Sequence, residues 1–377
     1  MSSLGSAFEK KIKKIFWSLA SSRIKSARFT PMDFRRPVSV LALRPDRLGD
    51  FILSVPALKA LESRLSGGSR LTLVAGERNE RLARLFFPDA RVLVFQKSFF
   101  RRLPLLMKLW FGSFDAVIDF HSYPFSTTSA LLALLAGGPR RIGFWDMGDG
   151  SETSRKIFND GMVPPAETLS EKEKSRLLIR RLDSKLGMAD SFLRLPALPV
   201  EIRERVEDFF KGLGLGPRDR LIALHPTLLK EDNRWPMDHY VRLAGELSKL
   251  SKFKMAVVYG QGEEEELKRF LVKLGKSQRV FPLPGNELLF ILECLKRVDL
   301  FVGGDSGLTH LAALTTPVVA IFGPSDPRRW GPMENGFGKP KIIRGKDGTC
   351  GSVSAEEVLK EIKKAFAKKA RRSRRKI

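Results

Sequence analysis

The chain has 377 residues, 43% of them hydrophobic and 29% charged, and this length allows two domains with separate cores. Its longest apolar stretches, such as residues 129–137, are far shorter than the roughly 20 residues of a membrane-spanning helix, so we expect no bilayer crossing. The two cysteines, Cys294 and Cys350, have neither metal-ligand nor disulfide-framework spacing, which favours a reducing, cytoplasmic location.

The formal net charge of +25 lies mostly at the two ends of the chain. Residues 1–37 carry nine Lys or Arg and two acids, and residues 363–377 carry nine Lys or Arg and no acid. Such basic ends fit anionic lipid, nucleic acid or solvated tails. The C-terminal KKARRSRRKI has no interleaved aromatic residues and no nucleic-acid-binding motif, which favours a solvated or lipid-facing tail.

The N-terminal segment has the pattern of a basic amphipathic helix and is a poor secretory signal. Its apolar residues recur at spacings of three and four, and lysines lie between them. This pattern fits binding to a lipid surface, and it equally fits a helix packed on the rest of the protein. The apolar residues are Phe8, Ile12, Ile15, Phe16 and Leu19.

From residue 39 to about residue 144, short apolar runs such as VLALRP and AVIDFH alternate with helical stretches. The same rhythm restarts at Leu221 with LIALHP and continues to PVVAIFG. Alternating strand and helix predicts parallel sheets, so we expect an α/β chain of two Rossmann-like domains. The predicted segments are an N-terminal extension (1–37), an acceptor domain (38–190), a linker (191–217), a nucleotide-sugar domain (218–350) and a C-terminal helix with a basic tail (351–377).

Ligands of open parallel sheets bind beyond the carboxyl ends of the strands, so the loops after the apolar runs are the candidate sites. The first run leads into Asp46-Arg47-Leu48-Gly49-Asp50. Asp50 is either a carboxylate that accepts a proton from an attacking hydroxyl or the N-cap of the next helix, and the two roles are compatible. Asp119 and His121 also follow a predicted strand and either contact an acceptor, as Arg47 is expected to do, or form a surface turn.

In the second half, the glycine-rich segment 303–314 opens a helix and exposes the N–H groups of Ser306, Gly307 and Leu308, which suits a phosphate. Asp305 or Ser306 is alternatively only the cap of that helix. His310 faces either the ligand or the core.

Two further loops of this half carry candidate donor ligands. The Thr227 hydroxyl and the cations Lys230 and Arg234 follow the strand LIALHP and suit a diphosphate, whereas Trp235 is expected to be a packing anchor. Glu263 or Glu264 either binds ribose hydroxyls or forms a charged first turn.

Together these segments resemble glycosyltransferase family 9, the heptosyltransferases of the lipopolysaccharide core. The resemblance runs from about residue 40 to residue 330 and is carried by RPDRLGDFILSVPALKAL, DFHSYPFSTTSALLALLAGGPRRIGF, HPTLLKEDNRWPMDHYVRLAGEL and VDLFVGGDSGLTHLAALTTPVVAIFGPSDPRRWGP. The last segment is the most specific of the four.

The resemblance implies a GT-B fold, two facing Rossmann-like domains with an interdomain cleft, and inversion at the anomeric carbon without metal or cofactor. By that resemblance Asp50 matches the general base, Thr227 the first phosphate-binding hydroxyl, and Glu263 or Glu264 the ribose acid. Asp305, Ser306, Gly307, Leu308 and His310 match the diphosphate-sugar loop. One position departs from the family, because Asn233 stands where lysine is usual.

We therefore expect an enzyme that moves heptose from ADP-heptose, or a related sugar, to a glycolipid at the cytoplasmic face of the inner membrane. It is expected to contact the anionic membrane surface peripherally and to bind no nucleic acid. Three alternatives are a nucleotide-sugar epimerase of the same fold, a basic nucleic-acid-binding protein, and an inactive family member that only binds.

Overall fold

The computed structural model describes residues 32–374, except 66, 123, 149–150, 167, 188–192, 278, 285–286, 335 and 337. The predicted N-terminal amphipathic helix (residues 8–19) and the last three residues of the basic tail lie outside the described residues. The chain divides into two compact units, Met1–Ser191 and Phe192–Ile377.

The first unit contains a five-stranded parallel sheet with the strand order β3-β2-β1-β4-β5. Its strands are β1 (Ser39–Arg44), β2 (Arg70–Gly76), β3 (Arg91–Phe95), β4 (Ala116–Asp119) and β5 (Arg140–Ile142). Its helices are α1 (Leu48–Arg64), α2 (Glu80–Phe86), α3 (Phe99–Trp110), α4 (Thr127–Ala136), α5 (Ser151–Ile157) and α6 (Glu171–Leu182). Strands β1 and β4 are buried on both faces, which explains why their sequences are continuous apolar runs rather than alternating patterns.

The second unit contains a six-stranded parallel sheet with the order β11-β10-β9-β6-β7-β8. Its strands are β6 (Arg220–His225), β7 (Phe253–Val257), β8 (Val280–Pro282), β9 (Leu300–Gly304), β10 (Val318–Phe322) and β11 (Lys341–Arg344). Its helices are α7 (Val200–Gly212), α8 (Met237–Ser248), α9 (Glu264–Leu274), α10 (Leu288–Lys296), α11 (Gly307–Ala312), α12 (Pro327–Trp330) and α13 (Ala355–Arg374). Two Rossmann-like domains of the α/β class are therefore present, as the sequence predicted.

Helix α7 lies within the segment 191–217, which the sequence analysis assigned to a linker. In the structure this helix packs on its own unit, since the Phe209 ring contacts the rings of Phe281 and Phe290. Contact between these aromatic rings, of which Phe290 is buried, holds α7 against α10 and β8, so the helix is a part of the second domain.

The C-terminal helix α13 also packs on the second unit. Val358 and Ile362 are fully buried in the core beside α8 and β10. Within the described residues, no helix is long and apolar enough to span a bilayer.

Candidate active site

The carboxyl ends of β1 and β4 bring three predicted loop residues together. Strand register pairs Leu43 with Asp119, so the two strands end side by side. The His121 ring Nδ1 lies 3.0 Å from Asp46 Oδ2, and the His121 backbone N–H donates to Asp119 Oδ1 at 3.0 Å. Asp46, Asp119 and His121 thus form one hydrogen-bonded cluster, whereas a surface turn would leave them exposed to water.

Asp50 lies in the first turn of α1 and does not cap that helix. The helix begins at Leu48, and its N-cap position is occupied by Arg47, whose side chain makes no capping hydrogen bond. The N-cap interpretation of Asp50 is therefore wrong, because the helix begins three residues earlier than a cap at Asp50 would require. The Arg47 side chain is exposed beside it.

The Asp50 carboxylate is mostly buried and receives no hydrogen bond from the described part of the chain. Arg44 is a cation beside it, with Nη2 at 3.9 Å from Asp50 Oδ1. Burial raises the pKa of Asp50, the positive charge of Arg44 opposes this shift, and the negative charges of Asp46 and Glu171 add to it. A carboxylate with a raised pKa and a free oxygen is suited to accept a proton.

Glu171, at the start of α6, forms a buried polar group near Asp50. The Ser122 hydroxyl donates to Glu171 Oε2 at 2.5 Å, and Lys174 Nζ lies 2.9 Å from Glu171 Oε1. Burial alone would raise the pKa of Glu171, but Ser122, Arg44 and Lys174 together lower it. Glu171 is therefore held as a charged anion, which leaves Asp50 as the carboxylate of the two that is available to take a proton.

In the rest of this cluster, the pKa values of Asp119 and His121 are raised and the pKa of Asp46 is lowered. Burial raises the pKa of Asp119 to about 7. Burial also opposes the charged form of Asp46, yet hydrogen bonding to His121 and the charge of Arg44 lower the pKa of Asp46 overall. Burial would lower the pKa of His121, but its hydrogen bond to Asp46 raises it. Pairing with Asp46 therefore favours the charged form of His121, and the buried Asp119 titrates near neutral pH.

In the second unit, one hydrogen-bond network joins the ends of β6, β7 and β9. Glu263 Oε2 accepts from Thr227 Oγ1 at 2.6 Å and from the Gly260 N–H at 2.7 Å, and it lies 2.9 Å from His225 Nε2. The other ring nitrogen of His225 lies 3.3 Å from Ser306 Oγ. Thr227, Glu263 and Ser306 were each predicted as donor ligands, and the structure connects them through the buried His225, which the sequence analysis missed.

The loop before α11 has the predicted helix cap. Ser306 Oγ accepts from the Thr309 backbone N–H, so Ser306 is the N-cap. The first-turn N–H groups of Gly307 and Leu308 have no acceptor inside the helix. Because α11 has only six residues, these two donors matter more than the dipole of the helix.

Asp305 is held by the residue that departs from the family pattern. Asn233 is only 2% exposed; its Nδ2 donates to Asp305 Oδ2 at 3.0 Å, and its Oδ1 accepts from Ser325 at 3.4 Å. A neutral amide therefore contacts Asp305 at this position.

His310 is buried on α11 and packs in the core of the second unit. Its ring hydrogen-bonds to the Trp330 backbone, and its Nδ1 has no partner among the described residues. Burial lowers the pKa of His310, so the ring is neutral.

The predicted donor cations differ in their surroundings. Arg234 donates to the carbonyl oxygens of Leu228 and Leu229 at 2.6 and 3.3 Å, and it lies 3.9 Å from Glu266. It therefore fixes the loop from inside, whereas Lys230 and Glu264 are exposed. Trp235 is the predicted packing anchor, since it is buried and its Nε1 donates to the Val353 carbonyl at 2.8 Å.

Comparison with known protein families identifies the chain. The model of "Glycosyltransferase family 9 (heptosyltransferase)" matches residues 102–346, which is more than half of the chain. The chain belongs to glycosyltransferase family 9.

The relatives of this family 9 chain include lipopolysaccharide heptosyltransferase 1 of Escherichia coli strain RS218. It is 28% identical over 165 residues, which are 44% of this chain and 48% of the relative. The chain thus matches about half the length of that curated relative.

Two solved structures share the fold over nearly their whole length. E. coli ADP-heptose lipopolysaccharide heptosyltransferase II has a TM-score of 0.69 at 22% identity, covering 88% of this chain and 99% of that one. E. coli heptosyltransferase WaaC with ADP has a TM-score of 0.65 at 20% identity, covering 87% and 99%. The family 9 chain therefore has the GT-B fold that the sequence predicted.

Proposed function

We propose that this family 9 chain is an inverting glycosyltransferase that moves heptose from ADP-heptose, or a closely related sugar, to a glycolipid of the lipopolysaccharide core. The observation that carries the proposal is the environment of Asp50. Its carboxylate has a pKa raised by burial, receives no hydrogen bond from the described residues, and lies at the carboxyl edge of the first sheet.

In the proposed reaction, Asp50 takes the proton of an acceptor hydroxyl. The hydroxyl oxygen forms a bond to the anomeric carbon from the face opposite the nucleotide, the bond from that carbon to the phosphate oxygen breaks, and ADP leaves. One displacement inverts the anomeric carbon, and Asp50 later releases its proton to water. Removal of such a base lowers a rate by about 10²–10⁴-fold.

On the donor side, the proposed partners of the departing diphosphate are the N–H groups of Gly307 and Leu308 and the exposed cation Lys230. Glu263 is the proposed ribose acid, with Glu264 as the exposed neighbour, and the buried Thr227 is proposed to position Glu263 rather than to bind the phosphate that the sequence analysis assigned to it. Since Thr227 already donates to Glu263, its hydroxyl oxygen is left to accept a hydrogen bond rather than to donate one to a phosphate. Arg234 acts on the donor by holding the loop that carries Lys230.

The proposed acceptor residues are Arg47, Asp119 and His121. Arg47 is exposed at the start of α1, and the other two are held in the cluster around Asp46. We further propose that the enzyme needs no metal or cofactor and works at the cytoplasmic face of the inner membrane.

The test is release of ADP from ADP-heptose by the full chain in the presence of a lipopolysaccharide-core glycolipid that lacks heptose. We expect Asp50→Ala and Asp50→Asn to lose activity by about 10²–10⁴-fold. Glu80→Gln is the matched control, because Glu80 is also an acid in the first turn of a helix of the same unit. Activity of Asp50→Ala close to that of the unchanged chain would show that the base is another group.

Three further measurements test the substrate, the alternatives and the metal independence. Donor without acceptor should release little ADP, whereas an epimerase would isomerise the sugar. A thermal-shift panel of nucleotides and nucleotide sugars should give the largest shift with ADP-linked compounds, because a ligand of the folded state raises its stability. Activity should persist in excess chelator, and a loss there would contradict the metal-independent mechanism.

A further inference from the structure

Helix α3 (Phe99–Trp110) presents an apolar stripe to solvent. The side chains of Phe100, Met107 and Phe111 are 72%, 59% and 78% exposed, and Leu103 is 38% exposed. Their spacing of three, four and four residues places Phe100, Leu103 and Met107 on one face of the helix, and Phe111, the C-cap residue, continues the same line. Single exposed apolar side chains are common, but a continuous stripe of four marks a surface that another body covers.

The stripe is distinct from the face that holds α3 on the domain. Leu105 and Leu109 are buried in the core of the first unit. At 100° per residue, these two lie on the side of the helix opposite to Phe100 and Met107. The outer stripe is therefore not needed to attach the helix to its domain.

Positive charge borders the stripe. Lys97, Arg101 and Lys108 are exposed, and Arg101 and Lys108 lie seven residues apart on one flank of the helix. Residues 90–114 carry five Lys or Arg and no acid. Apolar side chains flanked by cations without acids are the pattern of a helix that lies in the surface of an anionic bilayer.

A second copy of the chain fits this face less well. In a two-fold contact the same surface meets itself, so the cations of one α3 would approach those of the other. Such like-charge contact opposes association, whereas anionic headgroups attract the same cations.

The position of α3 connects the stripe to the candidate site. Strand β3 is parallel to β2 and β1, so α3 starts at the same sheet edge at which Asp46 and Asp50 follow β1. Two strand spacings separate β3 from β1, which is about 10 Å.

We propose that the stripe of Phe100, Leu103, Met107 and Phe111, with Arg101 and Lys108, docks the first domain on an anionic lipid surface. Docking in this way presents a lipid-linked acceptor to Asp50, and this part of the inference rests on the proposed function.

The test is co-sedimentation of the full chain with vesicles of phosphatidylcholine alone or mixed with phosphatidylglycerol. We expect binding to the anionic vesicles, weakened by salt, and at least a tenfold loss in the triple variant Phe100→Ser/Met107→Ser/Phe111→Ser. The pair Arg101→Gln/Lys108→Gln should weaken binding by roughly fivefold for each cation removed. The control is Val200→Ser/Val272→Ser, which removes exposed apolar side chains of the second unit and should bind as the unchanged chain does.

A second measurement does not depend on the folding of the triple variant. Met107→Cys is labelled with an environment-sensitive dye, since Cys294 and Cys350 are both buried. The dye emission should shift to the blue with anionic vesicles and remain unchanged with neutral ones.

Three outcomes would overturn the proposal. They are unchanged vesicle binding of the triple variant, a dye that does not respond to anionic vesicles, and a dimer of the unchanged chain that dissociates in the triple variant. The vesicle result is separable from the proposed function, which is tested by the ADP-dependent thermal shift and by ADP release. A chain that docks on vesicles but transfers no sugar would leave the docking surface standing and remove only the enzymatic proposal.

Discussion

Arg44 holds Asp50 from two directions. Its Nε donates to the Asp50 backbone carbonyl at 3.2 Å, and its Nη2 lies 3.9 Å from the Asp50 carboxylate. The same guanidinium donates through Nη1 to the Phe120 carbonyl at 2.6 Å and to Asp46 at 3.1 Å. One buried side chain therefore connects the end of β1, the first turn of α1 and the residue after β4, which a planar fork with five donors can do.

Replacement of Arg44 should destabilise the first domain. Arg44→Met leaves the Phe120 carbonyl without its donor and Asp46 with His121 alone, and we expect a loss of about 3–5 kcal/mol in the free energy of unfolding. Arg44→Lys keeps the charge without the fork and should cost about 1–3 kcal/mol. Urea unfolding followed by circular dichroism measures both. Arg84→Met is the control, since that exposed arginine forms a surface ion pair with Glu80. If Arg44→Met and Arg84→Met unfolded at the same urea midpoint, the role of Arg44 would be contradicted.

The rate of transfer should depend on pH through Asp50. Burial raises the pKa of this carboxyl, and the base must be ionised, so kcat/KM should fall as the pH drops through the raised pKa. Since the charge of Arg44 opposes the shift, Arg44→Lys should leave this limb nearly in place and Arg44→Met should move it to higher pH. A profile measured from about pH 5 to about pH 9 checks this. An identical limb in both variants would mean that Arg44 does not influence the catalytic base.

The parts of the fold and site that the sequence predicted are those that depend on local pattern. Strands β1, β4, β6 and β9 are continuous apolar runs because their sheets bury them on both faces. The loops after them follow directly, since parallel strands end at one edge of a sheet. The cap at Ser306 is likewise a local feature, set by one side chain and the amide three residues ahead.

The parts that could not be predicted depend on distant partners. Asp46 and His121 are 75 residues apart, and Arg44 reaches the Phe120 carbonyl over 76 residues. Spacing along the chain carries no signal for such pairs, because only the order of the strands in the sheet brings them together. Asp50 was ambiguous for a different reason: a carboxylate near the start of a helix fits a cap, and only the position of the first helical residue in the structure excludes that role.

Asp119 should make the stability of the first domain dependent on pH. Its pKa is raised to about 7 by burial, so the unfolded chain ionises this carboxyl at lower pH than the folded chain does. The folded state is therefore penalised as the pH rises from about 4 to about 7, by on the order of 4 kcal/mol.

Asp119→Asn removes that penalty and keeps an oxygen to accept the His121 N–H. The difference in unfolding free energy between the variant and the unchanged chain should increase with pH over this window and then level off. Urea titrations at four pH values measure the difference, and a constant difference would show that Asp119 is ionised throughout.

Glu263 should tolerate glutamine better than alanine. All three hydrogen bonds from Thr227, Gly260 and His225 meet at the single oxygen Oε2, so the carbonyl oxygen of glutamine can accept in its place. Glu263→Gln should cost about 1 kcal/mol of stability, and Glu263→Ala about 3 kcal/mol because several buried donors lose their acceptor.

The charge of Glu263 adds a pH signature to the same comparison. Hydrogen bonding to His225 and Thr227 outweighs burial and lowers the pKa of Glu263. Its contribution to the free energy of unfolding is therefore complete above the pKa that Glu263 has in the unfolded chain, and it is lost as the pH falls through the pKa of Glu263 in the folded chain. The stability of Glu263→Gln should therefore lack this dependence on acid pH. If Glu263→Gln lost as much stability at neutral pH as Glu263→Ala does, the finding that one oxygen accepts all three hydrogen bonds would be contradicted.

Asn233→Lys should strengthen binding of a nucleoside diphosphate. Asn233 is a neutral donor to Asp305, so the negative charge of Asp305 is not offset at this contact. A lysine here would supply a positive charge beside the proposed diphosphate loop, and we expect ADP to bind about tenfold more tightly, which corresponds to about 1.4 kcal/mol.

Calorimetric titration with ADP measures this change, and adenosine is the control ligand because it has no phosphate. Asn233→Gln is the matched variant, since it lengthens the side chain without charge and should not tighten binding. Because the site is buried, the lysine variant is also checked by thermal unfolding. Tighter binding of ADP and adenosine alike would place the effect on the nucleoside, and unchanged ADP affinity in a folded Asn233→Lys variant would place the diphosphate away from Asp305.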